Sequence, residues 1–167
     1  MRRLSCVSLL CVGLVVAACG SSSSHAPRVA IVIDKSIGGV SLKERRSAVE
    51  RTLGHGVVVK TEDQKPPEPP AHVEVVMYPD GLEVVYVSRT AAQRARGVAI
   101  AVLTKSSRYR TKEGVHVGSS LADVRQIPGI KCDGGNDCQH GNTHNKPGTG
   151  FAMRGGRVWR IVVTILD

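Results

Sequence analysis

Two segments of the chain match each other at a spacing of 75 residues, and this match is the strongest constraint on its fold. The segment Gly39–Gly54 reads GVSLKERRSAVERTLG, and Gly114–Gly129 reads GVHVGSSLADVRQIPG. They align without a gap and share four identical residues, each a glycine or a valine. Similarity at a fixed spacing indicates that one structural unit occurs twice. We therefore expect two related units, residues 29–110 and residues 111–167. The alternative is two unrelated short helices, since helix caps of this kind are common.

Each matching segment is typical of a short amphipathic helix between glycines. Val49 and Val124 hold the same place in the two segments, and their spacing from neighbouring apolar residues puts both on a buried helix face. The closing glycine of each segment supplies the left-handed residue that ends a helix. Both segments have capping-box spacing, a serine followed three residues later by an acid: Ser41 with Glu44, and Ser120 with Asp123.

The sequence after each predicted helix favours β-strands. Pro79–Gly81 separates two apolar stretches and predicts a hairpin turn. Four prolines within Thr61–Ala71 indicate an exposed loop. In the last stretch, alternation puts Trp159 on one face with Ile161, Val163 and Ile165, which predicts a core tryptophan. The stretches that we expect to form strands are His72–Tyr78, Leu82–Val87, Gly97–Thr104, Gly150–Met153 and Arg157–Leu166.

The N-terminus has the organisation of an export signal. Arg2 and Arg3 precede an apolar run of about fifteen residues, which is short of the roughly 20 that a membrane-spanning helix needs. The tetrad that ends in Cys19, VAAC, resembles the lipobox of bacterial lipoproteins, whose cysteine is lipidated and becomes the first residue. The resemblance implies a signal peptide at residues 1–18 and an acylated Cys19 on a flexible tether, residues 19–28. The alternative is a plain signal peptide, with Cys19 an incidental thiol.

The lipobox, the IGGVSL…AVERTLG segment and the hairpin together resemble the BamE-like lipoproteins. The second segment, RYRTKEGVHVGSSLADV, makes the tandem arrangement similar to β-lactamase-inhibitor-protein-like domains. This resemblance implies an α+β fold of tandem helix-plus-antiparallel-sheet repeats, with the second copy abbreviated. It also implies a non-catalytic module that binds another envelope or secreted protein through its sheet face and loops. The first copy departs from the pattern at Lys43, where the second has Gly118.

Charge and motifs exclude several classes of function. The chain carries 23 Lys+Arg against 14 Asp+Glu, a net charge of +9 that falls to +7 without Arg2 and Arg3. Because the basic residues are scattered, aromatic residues are few and an export signal is present, we expect no nucleic-acid partner. We find no nucleophile motif, phosphate loop or cofactor fingerprint, and expect no enzyme and no cofactor. The expected location is the cell envelope, with the lipid in the outer face of the plasma membrane or in an outer membrane.

Two cysteines remain after the signal peptide is removed and Cys19 is acylated. Cys132 and Cys138 form an even pair in an exported chain, which predicts a disulfide. The alternative is a zinc site made of Cys132, Cys138, His140 and His144, although five residues between the cysteines exceed the usual two to four. That alternative would make the protein a metal- or small-ligand-binding lipoprotein.

Overall fold

A computed structural model describes residues 31–64, 69–134, 137–141 and 146–165. It contains a small three-stranded sheet and an eight-stranded antiparallel sheet. The first half consists of β1 (Ile31–Val32), β2 (Ser36–Ile37), β3 (Val40–Ser41), α1 (Arg46–Leu53), β4 (Val57–Gln64), β5 (Ala71–Tyr78), β6 (Leu82–Ser88) and β7 (Val98–Thr104). The second half consists of α2 (Leu121–Val124), β8 (Lys131–Asp133), β9 (Asp137–Gly141), β10 (Pro147–Arg154) and β11 (Arg157–Ile165). Two 3₁₀ helices occupy Pro79–Gly81 and Ala91–Arg96.

The fold is β-rich, and the expected α+β architecture of helix-plus-sheet repeats is wrong. Strands make up 51% of the structure, whereas α1 has 8 residues and α2 has 4. The first helix is shorter than expected because Ser41 lies in β3. Its backbone N–H bonds to Glu44 Oε2 in the turn that follows, so this spacing closes a turn, and α1 begins only at Arg46. The second capping box is confirmed, with reciprocal bonds between Ser120 and Asp123.

The large sheet joins both halves of the chain. Its strand order is β4-β5-β6-β7-β11-β10-β9-β8, so the last strand of each half lies at the centre and pairs antiparallel with the other. The predicted hairpin is confirmed as β5 and β6, joined by the 3₁₀ helix Pro79–Gly81. The segment around Cys132 and Cys138 supplies the short edge hairpin of β8 and β9.

The core lies between one face of the large sheet and the helices with the small sheet. Val49 of α1 is 1% exposed and Val124 of α2 is 0% exposed, which confirms both predicted helix faces. They belong to one cluster with the inward side chains of the strands, among them Val84, Phe151 and Ile161. None of the described helices is long and apolar enough to cross a membrane.

The turn before each helix has the same hydrogen bonds in both halves. Lys43 N donates to Ala99 O at 2.7 Å, and Gly118 N donates to Val158 O at 2.8 Å. Lys43 and Gly118 are 75 residues apart in the sequence, and both have positive φ, +64° and +104°. Ala99 and Val158 are each the second residue of a central strand. The position at which the first segment departs from the second therefore keeps the backbone conformation that favours glycine.

Candidate functional site

The large sheet has a second face, which we call the open face. Side chains alternate between the two faces of a strand, so β5 directs His72, Glu74, Val76 and Tyr78 inward and the residues between them outward. The outward apolar side chains of the central strands are half-buried, and none of them belongs to the core cluster. The open face consists of Val73, Val75, Met77, Val85, Val87, Leu103 and Val162 with their polar neighbours.

The apolar side chains of the open face are in register across neighbouring strands. Val75 lies opposite Val85, and Leu103 lies opposite Val162. Val57, on the edge strand β4, lies opposite Met77 and is 68% exposed, so the apolar surface continues to the sheet edge. An antiparallel sheet that is solvated on one face normally alternates apolar and polar residues. Here both faces carry apolar side chains, so the open face is the candidate interaction site of the described chain.

The charged side chains on the first half of the open face neutralise one another. Lys60 Nζ lies 2.9 Å from Glu62 Oε2, and Lys105 Nζ lies 3.2 Å from Glu83 Oε1. Glu83 lies between Met77 and Leu103 in the register of the sheet. This half of the face is therefore apolar with paired charges.

A β-bulge places Trp159 on the open face. The pairing of β10 with β11 shifts between Ala152, opposite Arg160, and Met153, opposite Val158, so Trp159 is the extra residue. Val158 is buried in the core, while Trp159 and Arg160 follow each other on the outer side. The prediction that Trp159 is a core residue is wrong, because regular alternation was assumed across the bulge.

Two arginines lie against the indole ring of this tryptophan. The guanidinium carbons of Arg154 and Arg160 lie 5.0 Å and 4.8 Å from the centroid of the Trp159 ring, within cation–π range. We call these three residues the Trp159 cluster. Neither arginine takes part in a salt bridge within the described part of the chain. The cluster thus presents positive charge and an aromatic ring at one end of an apolar sheet face.

Cys132 and Cys138 form the predicted disulfide, with their sulfur atoms 2.05 Å apart and their residues paired across β8 and β9. The zinc alternative loses two ligands, because these sulfurs are bonded to each other. His140 instead lies with Nδ1 2.7 Å from Asp34 Oδ2, while His144 and Cys19 lie outside the described residues. The disulfide therefore links the edge strand β8 to its neighbour β9, which is a structural role.

Asp34 ties the small sheet to the far end of the large one. Its Oδ1 accepts a hydrogen bond of 2.9 Å from Thr149 Oγ1, and its own backbone N–H donates to the same oxygen at 2.6 Å. Thr149 is 1% exposed and Asp34 has a positive φ of +57°. Asp34, His140 and Thr149 meet one another's hydrogen-bonding needs although they are distant in the sequence. Their role is therefore to hold the two sheets together.

A charged network lies under α1. Arg46 is salt-bridged to Glu50 at 2.7 Å and to Glu74, and all three side chains are largely buried. His72 Nδ1 lies 2.6 Å from Asp63 Oδ1, and this hydrogen bond raises the pKa of His72 above its ordinary value. A cavity of about 340 Å³ opens beside the network, lined by Arg46, Glu50, His55, Val58, Arg94 and Ala95. Because Arg46 already has two carboxylate partners, the network holds the helix to the sheet.

A local serine–histidine pair does not have catalytic geometry. Ser119 Oγ lies 3.0 Å from His116 Nδ1, three residues away. The same nitrogen lies 3.0 Å from Gly114 O, and a guanidinium nitrogen of Arg110 lies 3.4 Å from it. In a catalytic pair one ring nitrogen accepts the serine proton and the other donates to an orienting carboxylate. Here the nitrogen beside Ser119 also lies beside a carbonyl oxygen, which can only accept a hydrogen bond from it. The pair closes the turn before α2.

No protein-family model and no curated protein matches the chain. Among solved structures, the chain is similar to the crystal structure of the uncharacterized protein yfeY from Escherichia coli. The TM-score is 0.44 at 10% sequence identity, and the match covers 78% of this chain and 97% of that chain. A similarity at this level carries no inference about fold or function, and the resemblance to BamE-like lipoproteins stays a prediction.

Proposed function

We propose that the protein is a non-catalytic, lipid-anchored envelope protein that binds another envelope or secreted protein through the open face. The observation that carries this proposal is a row of side chains outside the core in which Val57, Met77, Leu103 and Val162 are apolar. One charged residue, Glu83, interrupts this row, and it is paired with Lys105. Burial of apolar surface drives most protein association, and this surface already lies on a rigid sheet. The partner therefore gains contacts without ordering a loop.

The composition of the open face also supports a protein partner. Tryptophan, arginine and methionine are enriched at the centres of protein interfaces. The face carries Trp159, Arg154, Arg160 and Met77, while the chain has only one tryptophan and three methionines. The described chain concentrates the side chains of an interface on one side of the sheet.

The proposed anchor fits a protein that acts at a membrane surface. A tether of residues 19–28 has a root-mean-square span of roughly 17 Å if it is flexible. A diacylated Cys19 would then hold the folded body within a few nanometres of the lipid, where its partner would also lie.

We also propose that the two halves of the chain are an internal repeat. The matching backbone hydrogen bonds of Lys43 and Gly118 support this relationship.

The disulfide weakens the alternative of a metal-binding lipoprotein. Bonded sulfurs are not thiolate ligands, and the nearest histidine, His140, is already partnered by Asp34. No cluster of three or more metal-binding side chains occurs within the residues that the structure describes. Protein binding is therefore the function that the structure supports best.

Site-specific photocrosslinking in the native cell tests the proposed function. A photoreactive phenylalanine analogue at Val85 should give a discrete crosslinked adduct with a second protein. The matched control is the same analogue at Arg51, which is exposed on α1 on the opposite side of the sheet. Equal crosslinking at the two positions, or none at Val85, would contradict the proposal.

A further inference from the structure

We infer that the Trp159 cluster recognises a carboxylate-bearing segment of the protein partner, an inference that rests on the proposed function. The cluster places two arginines that have no salt-bridge partner in the described chain side by side on the open face. On the first half of the same face Lys60 and Lys105 have glutamate partners. Charge complementarity therefore calls for an acidic partner at this end.

The neighbouring carboxylates of the chain do not neutralise these arginines. Asp137 lies opposite Ala152, and Ala152 lies opposite Arg160, so one small residue separates the two charges along this row of the sheet. Asp133, on β8, lies one strand farther away. Neither aspartate forms a salt bridge with an arginine in the described part of the chain.

The Trp159 ring restricts the conformations of the two arginine side chains, which favours the binding of a planar anion. A guanidinium that lies against an aromatic ring has fewer side-chain conformations to lose on binding, while its N–H donors remain able to hold a carboxylate at two points. Arg160 Nε is buried and out of reach of a partner, so the terminal N–H groups of the two guanidinium groups would hold the carboxylate. These features favour an aspartate or glutamate side chain over a diffuse attraction to negative charge.

The rest of the open face favours a protein over a membrane surface. The lysines on the first half of this face, Lys60 and Lys105, are each paired with a glutamate, so this half offers no net positive charge to anionic lipid head groups. The apolar side chains between them are half-buried among their cross-strand neighbours, which suits a packed protein surface. An acidic segment with apolar residues beside it would cover both the Trp159 cluster and the row of valines.

Because the chain has a single tryptophan, its fluorescence reports directly on this cluster. The full lipidated chain in neutral detergent is titrated with a decaglutamate peptide, and a decalysine peptide is the charge control. We expect a saturable change in Trp159 fluorescence with decaglutamate only. In R154Q/R160Q the Kd should rise about tenfold or more, because two charge-assisted contacts are removed. R125Q, which removes an exposed arginine next to α2, should leave it unchanged.

The outcomes separate this inference from the proposed function. R154K/R160K keeps the charge but loses the planar fork, so an affinity between those of wild type and R154Q/R160Q supports carboxylate recognition. Equal binding by wild type and R154Q/R160Q, or no binding of decaglutamate, overturns the inference. A fluorescence change with phosphatidylglycerol mixed micelles but not with decaglutamate also overturns it. If adducts at Val85 persist in R154Q/R160Q at the wild-type level, the proposed function stands and the inference fails alone.

Discussion

Breaking the disulfide between Cys132 and Cys138 should destabilise the whole domain. β8 has three residues and is paired on one side only, with β9, at the edge of the sheet. Cys138 is fully buried and Cys132 packs against the same core. The disulfide therefore fixes β8, the edge strand, to the core. Its removal frees β8 and weakens the packing of Cys132 and Cys138 in the core.

The magnitude follows from the size of the ring. The two cysteines are six residues apart, so the closed loop contains about seven residues. On the loop-entropy relation, a ring of that size contributes about 2.4 kcal/mol at 25 °C. A domain of this size loses roughly 0.3 kcal/mol per kelvin near its melting temperature, so Tm should fall by about 8 °C.

Urea unfolding of the mature protein with and without dithiothreitol measures this difference. The variant C132A/C138A is the control, since it should be less stable than oxidised wild type and insensitive to the reductant. Its loss should slightly exceed that of reduced wild type, because alanine also removes the buried Cys138 sulfur. A change below about 0.5 kcal/mol on reduction would refute the reasoning, and would mean that β8 opens independently of the core.

Three further predictions address the anchor, the network under α1 and the repeated turn. Cys19→Ala should move the protein out of the membrane fraction, and unchanged partitioning into the detergent phase would contradict the lipoprotein proposal. The hydrogen bond to Asp63 raises the pKa of His72, so its stabilisation is complete below the ordinary pKa of about 6.5 and is lost as pH rises through the folded value. Urea midpoints between pH 6 and pH 9 should therefore fall more in wild type than in Asp63→Asn. Lys43→Gly should raise the free energy of unfolding by about 0.5 kcal/mol in the same assay. Glycine removes the strain of the left-handed conformation, and this gain exceeds the cost of a more flexible unfolded chain. A loss of stability would show that the lysine side chain itself contributes.

Local sequence signals predicted the parts of the fold that depend on neighbouring residues. The β5–β6 hairpin, the capping box at Ser120 and the cysteine pair were all correct, because each is determined by residues close together in the sequence. Strand β4 was missed altogether: its first part was assigned to no element, and Thr61–Gln64 was expected as a loop. All eight residues of β4 are exposed, so no pattern of burial marks it, and only its pairing with β5 makes it a strand.

The architecture and the open face depend on distant contacts, and the sequence did not determine them. A helix prediction over each matching segment was too long, because the turn before Arg46 is bonded to Ala99 in a strand more than fifty residues later. The position of Trp159 depends on a bulge, and a bulge is set by pairing with the neighbouring strand. Both errors come from reading local alternation as if it continued without interruption.

The assignment of inner and outer faces in β5 reverses the usual rule. His72 and Glu74 point inward and are buried, while Val73 and Val75 point outward on the open face. Inward charges are tolerated because Glu74 meets Arg46 of α1. Such pairs add little net stability but specify which surfaces meet. We infer that this pair directs α1 to the charged face of β5. Replacing Arg46, Glu50 and Glu74 together with apolar residues of similar size should leave the urea midpoint near the wild-type value, whereas replacing Arg46 alone should lower it, because both carboxylates lose their arginine partner.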